Sequence, residues 1–388
     1  MENNMSRAAR RQSAPVPNGQ PPRPPRPRKR RKKWRWLAAI LLFLVIVGGV
    51  MMSMVLSNVK TSVDKMYRSA KVTKARDVQQ VLKKGEPFSI LVLGTDTGAL
   101  DRDRTGLTDS MMLITVNPKK KTTTMMSIPR DIMVAIVGHE NTFPQKLNAA
   151  FPIGGVSSTI LTLQNYLNVP IDFYALVNMG GLEKLINQVG GVKVVSPLTF
   201  TYQPDNDKPD VYKFYKGKEK FEYAADGKNF KTYTTMNGYA ALSFSRMRYD
   251  DPQGDYGRQL RQRLVLKALL KKSASAKTLL NAKFMSSISK NVQTDMKFNN
   301  LTTVALKYMS ATKNQTSEHI QGVGDMYNGV SYQMVTETEK QRATTLLRKS
   351  LDLKAKNTGT QFGGSVPALY AYIAEYNLNM INETLDPQ

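Results

Sequence analysis

The chain contains no cysteine. Disulfide frameworks, thiol nucleophiles and Cys-ligated zinc are therefore excluded. Histidine is nearly absent, with only His139 and His319. Multi-histidine metal centres and Ser-His-Asp machinery are not expected from so few. Acids are scarce too: 30 Asp+Glu face 56 Lys+Arg, a net charge of +26 over 388 residues. No G-x-x-x-x-G-K-[ST] occurs, so a P-loop is absent. Ser-x-x-Lys begins at Ser57, Ser62, Ser287 and Ser310. That is chance frequency in a Ser/Lys-rich chain, and no Lys-Thr-Gly accompanies it. Chemistry must then rest on Asp, Glu, Arg, Lys, Ser, Thr or Tyr, or on a borrowed metal. What the chain does hold is enough apolar residue, 41%, to bury a sizeable core. Its length suits one large domain with appendages, or two ordinary ones.

The charge is uneven. Residues 1–36 carry twelve Lys+Arg and one acid, Glu2, which puts +11 there and leaves +15 for the rest. Seven of the nineteen prolines fall between Pro15 and Pro27. We read 1–35 as a disordered basic arm. Residues 36–56 follow as 21 uncharged positions with Trp34 and Trp36 at their start. A helix of that length spans about 30 Å, the thickness of a bilayer core. The run is longer than the apolar stretch of a cleaved signal peptide, so it reads as a transmembrane anchor. The basic cluster Arg28–Lys33 abuts its N-terminal side. Positive flanks stay in the cytoplasm, which places the arm inside and the remainder outside. The same cluster has a nucleic-acid reading, but its position against the anchor favours the inner leaflet, and no nucleic acid partner is expected.

Beyond the anchor, 57–84 reads as a helical spacer, 85–350 as the main domain and 351–388 as a tail. Phe88–Gly94, Met111–Val116 and Thr122–Ile128 read as strands, the last two joined by a hairpin turn at Asn117–Lys121. Thr159–Leu167 and Gly181–Val189 read as helices, with strands at Phe173–Val177 and Val192–Val195. Residues 200–234 read as a surface excursion, 258–272 as a helix and 276–350 as mostly helical. Alternating strands and helices predict an α/β domain layered α/β/α.

Four segments place charge at the ends of apolar elements. Asp96 follows the first strand between glycines. Arg102, Arg104 and Asp109 precede the second. Arg130 and Asp131 follow the third. The fourth runs from Arg246 and Arg248 through Asp250, Asp251 and Asp255 to Arg258, Arg261 and Gln262. In an extended stretch Arg246 and Arg248 point the same way. On a helix Arg258, Arg261 and Gln262 share a face. Such arginines offer planar paired donors that suit phosphate oxygens. Taken singly, each segment has a plainer reading as a turn, a surface ion pair or a solvated helix face.

LGTDTG, TDSMM, NPKKK, SIPRD, KLNAAF-x-x-GG, the IDFYALVNMGGLEKLINQVGGV run and SRMRYDDPQGDYGRQLRQR together resemble the LytR-CpsA-Psr family over roughly residues 87–272. The resemblance implies an α/β/α fold with a mixed central sheet and an apolar tunnel for a polyprenyl pyrophosphate. It implies transfer of glycopolymers, teichoic acids or capsule, from that carrier to peptidoglycan in Gram-positive walls, with Mg²⁺ (or Mn²⁺). It makes Asp96 and Asp109 an acidic pair that holds the metal or acts near the nucleophile. It makes Arg104, Arg130, Arg246, Arg248, Arg258 and Gln262 pyrophosphate contacts, with Arg130 also catalytic. Many members carry Arg directly before the Ser/Thr-Asp of the second motif. Here that position is Leu107, and Arg104 or Arg102 stands nearby instead. Two other readings stand beside the transferase: a hydrolase of the carrier pyrophosphate, and a non-catalytic binder of anionic wall polymer or regulator.

Overall fold

The structure, a computed structural model, describes residues 54, 56–95, 106–205, 207–273 and 281–366. The predicted anchor, 36–56, lies outside these apart from Met54 and Leu56, as do the arm and residues 96–105, which include Asp96, Arg102 and Arg104. Among the described residues no helix is long and apolar enough to cross a membrane.

The centre is a mixed six-stranded sheet. Its members are β1 (Phe88–Thr95), β2 (Thr108–Asn117), β3 (Thr122–Ile128), β6 (Phe173–Asn178), β11 (Val292–Thr294) and β12 (Asn314–His319), ordered β11-β6-β1-β2-β3-β12. β1 runs parallel to β6 and antiparallel to β2, and β3 runs parallel to β12. Two short pairs flank it, β4 (Met133–Val134) with β5 (Gln145–Lys146) and β13 (Val323–Tyr327) with β14 (Val330–Met334). The β2–β3 hairpin forms where expected. Asn117 Oδ1 accepts from the Lys120 N–H at 3.0 Å, and Lys121 takes a left-handed φ of 56°.

Both faces of the sheet are covered, which is why its strands read as unbroken apolar runs. On one face Leu91, Leu93, Met111 and Leu113 pack with Ile160, Leu163 and Leu347, from α3 (Ala150–Leu167) and α9 (Glu337–Ser350). On the other face Met112, Ile114 and Met125 meet Leu266 and Leu270 of α6 (Asp255–Ser273). The fold is thus α/β with a mixed central sheet and helices on both sides. Polar caps set the helix starts. The side chains of Asp77, Asn178 and Asn237 accept backbone N–H groups at the heads of α2 (Val78–Lys84), α4 (Met179–Gln188) and α5 (Gly238–Arg246).

Chain flanking the domain also docks on it. α1 (56–66) buries Val59, Val63 and Met66 against Phe284, Met285 and Ile288, which lie on α7 (Ala282–Ile288). Beyond α9, Gly359 donates to the Tyr166 carbonyl at 3.2 Å. A Cβ there would come within 1.5 Å of the Asn165 carbonyl oxygen, so only glycine fits.

Three local expectations fail. Val192–Val195 is no strand; Val192 makes only an isolated bridge to Met236. Residues 200–234 are not an excursion but a four-stranded sheet, β7 (Phe200–Tyr202), β8 (Val211–Phe214), β9 (Phe221–Ala224) and β10 (Lys231–Tyr233). Tyr212, Phe214 and Phe221 fill its inner face against Phe244 of α5. Residues 276–350 are mixed rather than mostly helical. They supply both edge strands, β11 and β12, and the β13–β14 hairpin, besides α7, α8 (Phe298–Lys307) and α9.

Candidate functional site

The ends of β1, β2 and β3 meet where the ladder is irregular. Gly94 pairs with Ser110 and Thr95 with Thr108, so Asp109 is the extra residue of a β-bulge. Bulges re-aim side chains beside functional sites. Arg130 stands two residues past the end of β3, after Pro129, and its guanidinium donates to Asp109. Its Nε lies 3.5 Å from Asp131 Oδ2, and Lys146 Nζ lies 3.0 Å from Asp131 Oδ1. The Arg130 carbonyl accepts from the Asn148 N–H at 3.0 Å, which pins the turn.

α6 brings the second set. Arg258 Nη2 lies 2.5 Å from Asp255 Oδ1, without hydrogen-bond geometry. Arg258 Nε and Arg130 Nε are buried with no hydrogen-bond partner among the described residues. Burial lowers the Arg258 pKa; Asp255 opposes this, Arg130 and Arg248 add to it, and Asp109 opposes it. For Arg130, burial also lowers the pKa, but the carboxylates of Asp109, Asp131 and Asp255 outweigh it and raise the value. Arg258 therefore feels both Arg130 and Arg248, and it shares Asp109 and Asp255 with Arg130. Donors left without partners in a cationic cluster suit an anion with several oxygens.

Gln262, one helical turn beyond Arg258, accepts from the Ser110 hydroxyl at 3.0 Å. Past it, Val265, Leu266 and Leu269 line a cavity of about 120 Å³ between α6, α4 and the sheet. Val92, Met112, Val177, Leu182 and Leu185 complete its apolar wall. One helix thus carries charge at Arg258 and an oily surface at Leu269, about 16 Å away at 1.5 Å per residue.

Arg246 and Arg248 are not in one extended stretch. Arg246 ends α5, and Met247 after it is extended. Arg246 lies beside Tyr202 of β7 and opposes the rise that burial gives that phenol. Arg248 stacks 4.7 Å from the ring centre of Tyr249. The structure therefore gathers Asp109, Arg130, Arg248, Arg258 and Gln262, and turns Arg246 toward the small sheet. Asp96 and Arg104 lie outside the described residues.

Arg261 does not join Arg258 and Gln262 on the shared face that helical spacing suggested. It is fully buried and donates to the Phe244 carbonyl at 3.0 Å, to the Met247 carbonyl and to Asp251. It ties the 247–251 loop that presents Arg248 to α6. Gly257 lets that loop close, since a Cβ there would sit 1.9 Å from Asp251 Oδ2. The only sequence signal for this anchor was an arginine between Leu260 and Leu264.

The comparisons agree with this geometry. The teichoic acid transferase TagU of Enterococcus faecalis, named polyisoprenyl-teichoic acid–peptidoglycan teichoic acid transferase, is 39% identical over 316 residues, covering 81% of this chain and 95% of that one. The crystal structure of B. subtilis TagV superposes with a TM-score of 0.55 at 30% identity, covering 70% of this chain and 99% of TagV. TagT bound to LI-WTA superposes at 0.53 with 25% identity, covering 74% of this chain and 97% of TagT. The LytR_cpsA_psr family pattern matches residues 52–349. With a cationic cluster one helical turn from the apolar cavity along α6, and that match across most of its length, the chain belongs to the LytR_cpsA_psr family.

Proposed function

We propose that this protein is a phosphotransferase that moves a teichoic-acid-type glycopolymer from a polyprenyl-pyrophosphate carrier to peptidoglycan. One observation carries the reading. The Arg130–Arg248–Arg258 cluster and the apolar cavity adjoin along α6, a match for a diphosphate head and a hydrocarbon tail. The transferase TagU of E. faecalis, and TagT with its bound LI-WTA, support the same chemistry.

The reaction joins a peptidoglycan hydroxyl oxygen to the phosphorus nearest the sugar. The bridging P–O bond breaks, and polyprenyl phosphate leaves with the electron pair. The three guanidiniums stabilise the charge that builds on the non-bridging and leaving oxygens. Asp109, held beside Arg130 at the bulge, orients that arginine. Asp109 or Asp96 accepts the hydroxyl proton. A Mg²⁺ (or Mn²⁺) ion would need only one or two carboxylates from the protein. The partly exposed Asp109 fits that donor set and, with Asp96, would hold the ion, which supplies further charge neutralisation.

The carrier sits in a bilayer, and the sequence supports an anchor at 36–56 with the catalytic part extracytoplasmic. The test supplies lipid-linked pyrophosphate glycan, peptidoglycan oligomers and Mg²⁺. Mass spectrometry then follows polyprenyl monophosphate and glycan-linked peptidoglycan. Both should accumulate together. Monophosphate without the linked product would make the protein a hydrolase, and neither product from folded protein would leave a binder.

A further inference from the structure

We propose that an open pocket on the other side of Arg130 seats a sugar ring of the peptidoglycan acceptor, and that Leu107 helps to set acceptor specificity. The proposal rests on the transferase reading above. The pocket holds about 460 Å³, within the usual range for small-ligand sites. Leu107, Arg130, Asp131, Lys146, Asn148 and Tyr332 line it.

Its position is the first argument. It shares no lining residue with the apolar cavity. At the start of β2, Ser110 lines the apolar cavity and Leu107, just before the strand, lines the open pocket, with the bulged Asp109 between them in sequence. Phosphoryl transfer needs the attacking and leaving oxygens roughly in line. If polyprenyl phosphate departs into the apolar cavity, the nucleophile arrives from the opposite side, which is this pocket.

Its walls are the second. A sugar ring presents an apolar face and a rim of hydroxyls. Leu107, 44% exposed, and the Tyr332 ring offer apolar contact. Lys146 Nζ, 6.0 Å from the Tyr332 ring centre and 3.0 Å from Asp131 Oδ1, supplies a charged donor. The walls are already fixed. Asn148 N–H donates to the Arg130 carbonyl at 3.0 Å, Gln333 N–H to the Asp131 carbonyl at 2.9 Å, and the Tyr332 hydroxyl to the Pro144 carbonyl at 3.2 Å.

The third is the departure at Leu107. Where the resemblance leads one to expect arginine, this chain presents a large apolar side chain to the pocket. The difference therefore falls on the wall of this pocket, where Arg130 is the one guanidinium among the lining residues.

The experiment uses the full-length protein in detergent, with Leu107→Arg and Val330→Asp; Val330 lies at the exposed rim. Leu306→Ser, on exposed α8, serves as control. Transfer is measured against acceptor and donor concentration separately. Each pocket variant should raise the acceptor KM about tenfold, the scale of one lost apolar contact, while donor KM changes less than twofold. An unchanged acceptor KM, or a rise in donor KM instead, overturns the proposal, the latter assigning the pocket to the donor glycan. Binding is also read directly, by titrating isotopically labelled protein with a peptidoglycan disaccharide fragment. A shift of the Leu107 methyl signals in wild type, lost in Val330→Asp, supports the pocket; no shift overturns it. If wild type binds the fragment but transfers nothing, the transferase reading fails while the sugar pocket stands.

Discussion

Ser110 donates its hydroxyl hydrogen to the side-chain carbonyl of Gln262 at 3.0 Å, and that bond joins the start of β2 to the middle of α6. Both residues also line the apolar cavity. The bond lies one residue from Asp109 and one helical turn from Arg258, so it holds the charged and oily halves of the site in register.

Arg130→Ala should lower transfer by about 10²–10³-fold, the usual loss when one stabilising donor is removed. Monophosphate release by mass spectrometry measures this, with thermal unfolding to show that the protein remains folded. Unaltered turnover would remove Arg130 from the reaction.

Filling the apolar cavity should separate lipid binding from chemistry. Leu266→Trp projects a larger ring into a space of about 120 Å³. The expected cost in stability is about 1–3 kcal/mol. The donor KM should rise with the length of the polyprenyl chain and change little for a short-chain analogue. Equal effects on both donors would place the lipid elsewhere.

Asp251→Ala strips Arg261 of its carboxylate while leaving the guanidinium fully buried. Leaving such a charge unpaired costs about 3–5 kcal/mol. Denaturant unfolding should show the loss. Activity should fall as well, because the 247–251 loop presents Arg248.

Asp226 supplies a pH test. Backbone N–H bonds from Asn229 and Lys228 hold its pKa down to about 2, from 3.8. A depressed acid stabilises the fold above its unfolded pKa and ceases to do so as pH falls through the folded value. Asp226→Asn should therefore lower Tm by a constant amount above about pH 4, with the gap closing toward pH 2. A gap that stays constant to pH 2 would discount those bonds.

Chelation should abolish transfer, and Mg²⁺ or Mn²⁺ should restore it. Asp109→Asn should shift the restoring concentration upward, as titrated by product formation. Full activity in chelator would remove the metal from the proposal.

Much of the fold was legible because its signals are local. β1, the β2–β3 hairpin, β6 and α4 announce themselves through apolar runs, a Lys-rich turn and helical patterning. β12, spelled Asn-Gln-Thr-Ser-Glu-His, has no apolar alternation because it is an edge strand with polar surroundings. Its place comes from pairing with β3, which no local pattern encodes. The β7–β10 sheet was hidden for a related reason. Its tyrosines and lysines look solvent-facing until Tyr212 and Phe214 meet α5.

Residue types and spacing alone determined the basic arm, the apolar run, the absence of thiol chemistry and the set of arginines and aspartates from which the site is drawn. Only the tertiary structure decided which of them meet. Arg258 and Arg261 are three residues apart on one helix, yet one faces Arg130 and the other is sealed beneath Asp251. Helical periodicity sets the angle between neighbouring side chains, but what lies opposite each of them depends on chain many residues away.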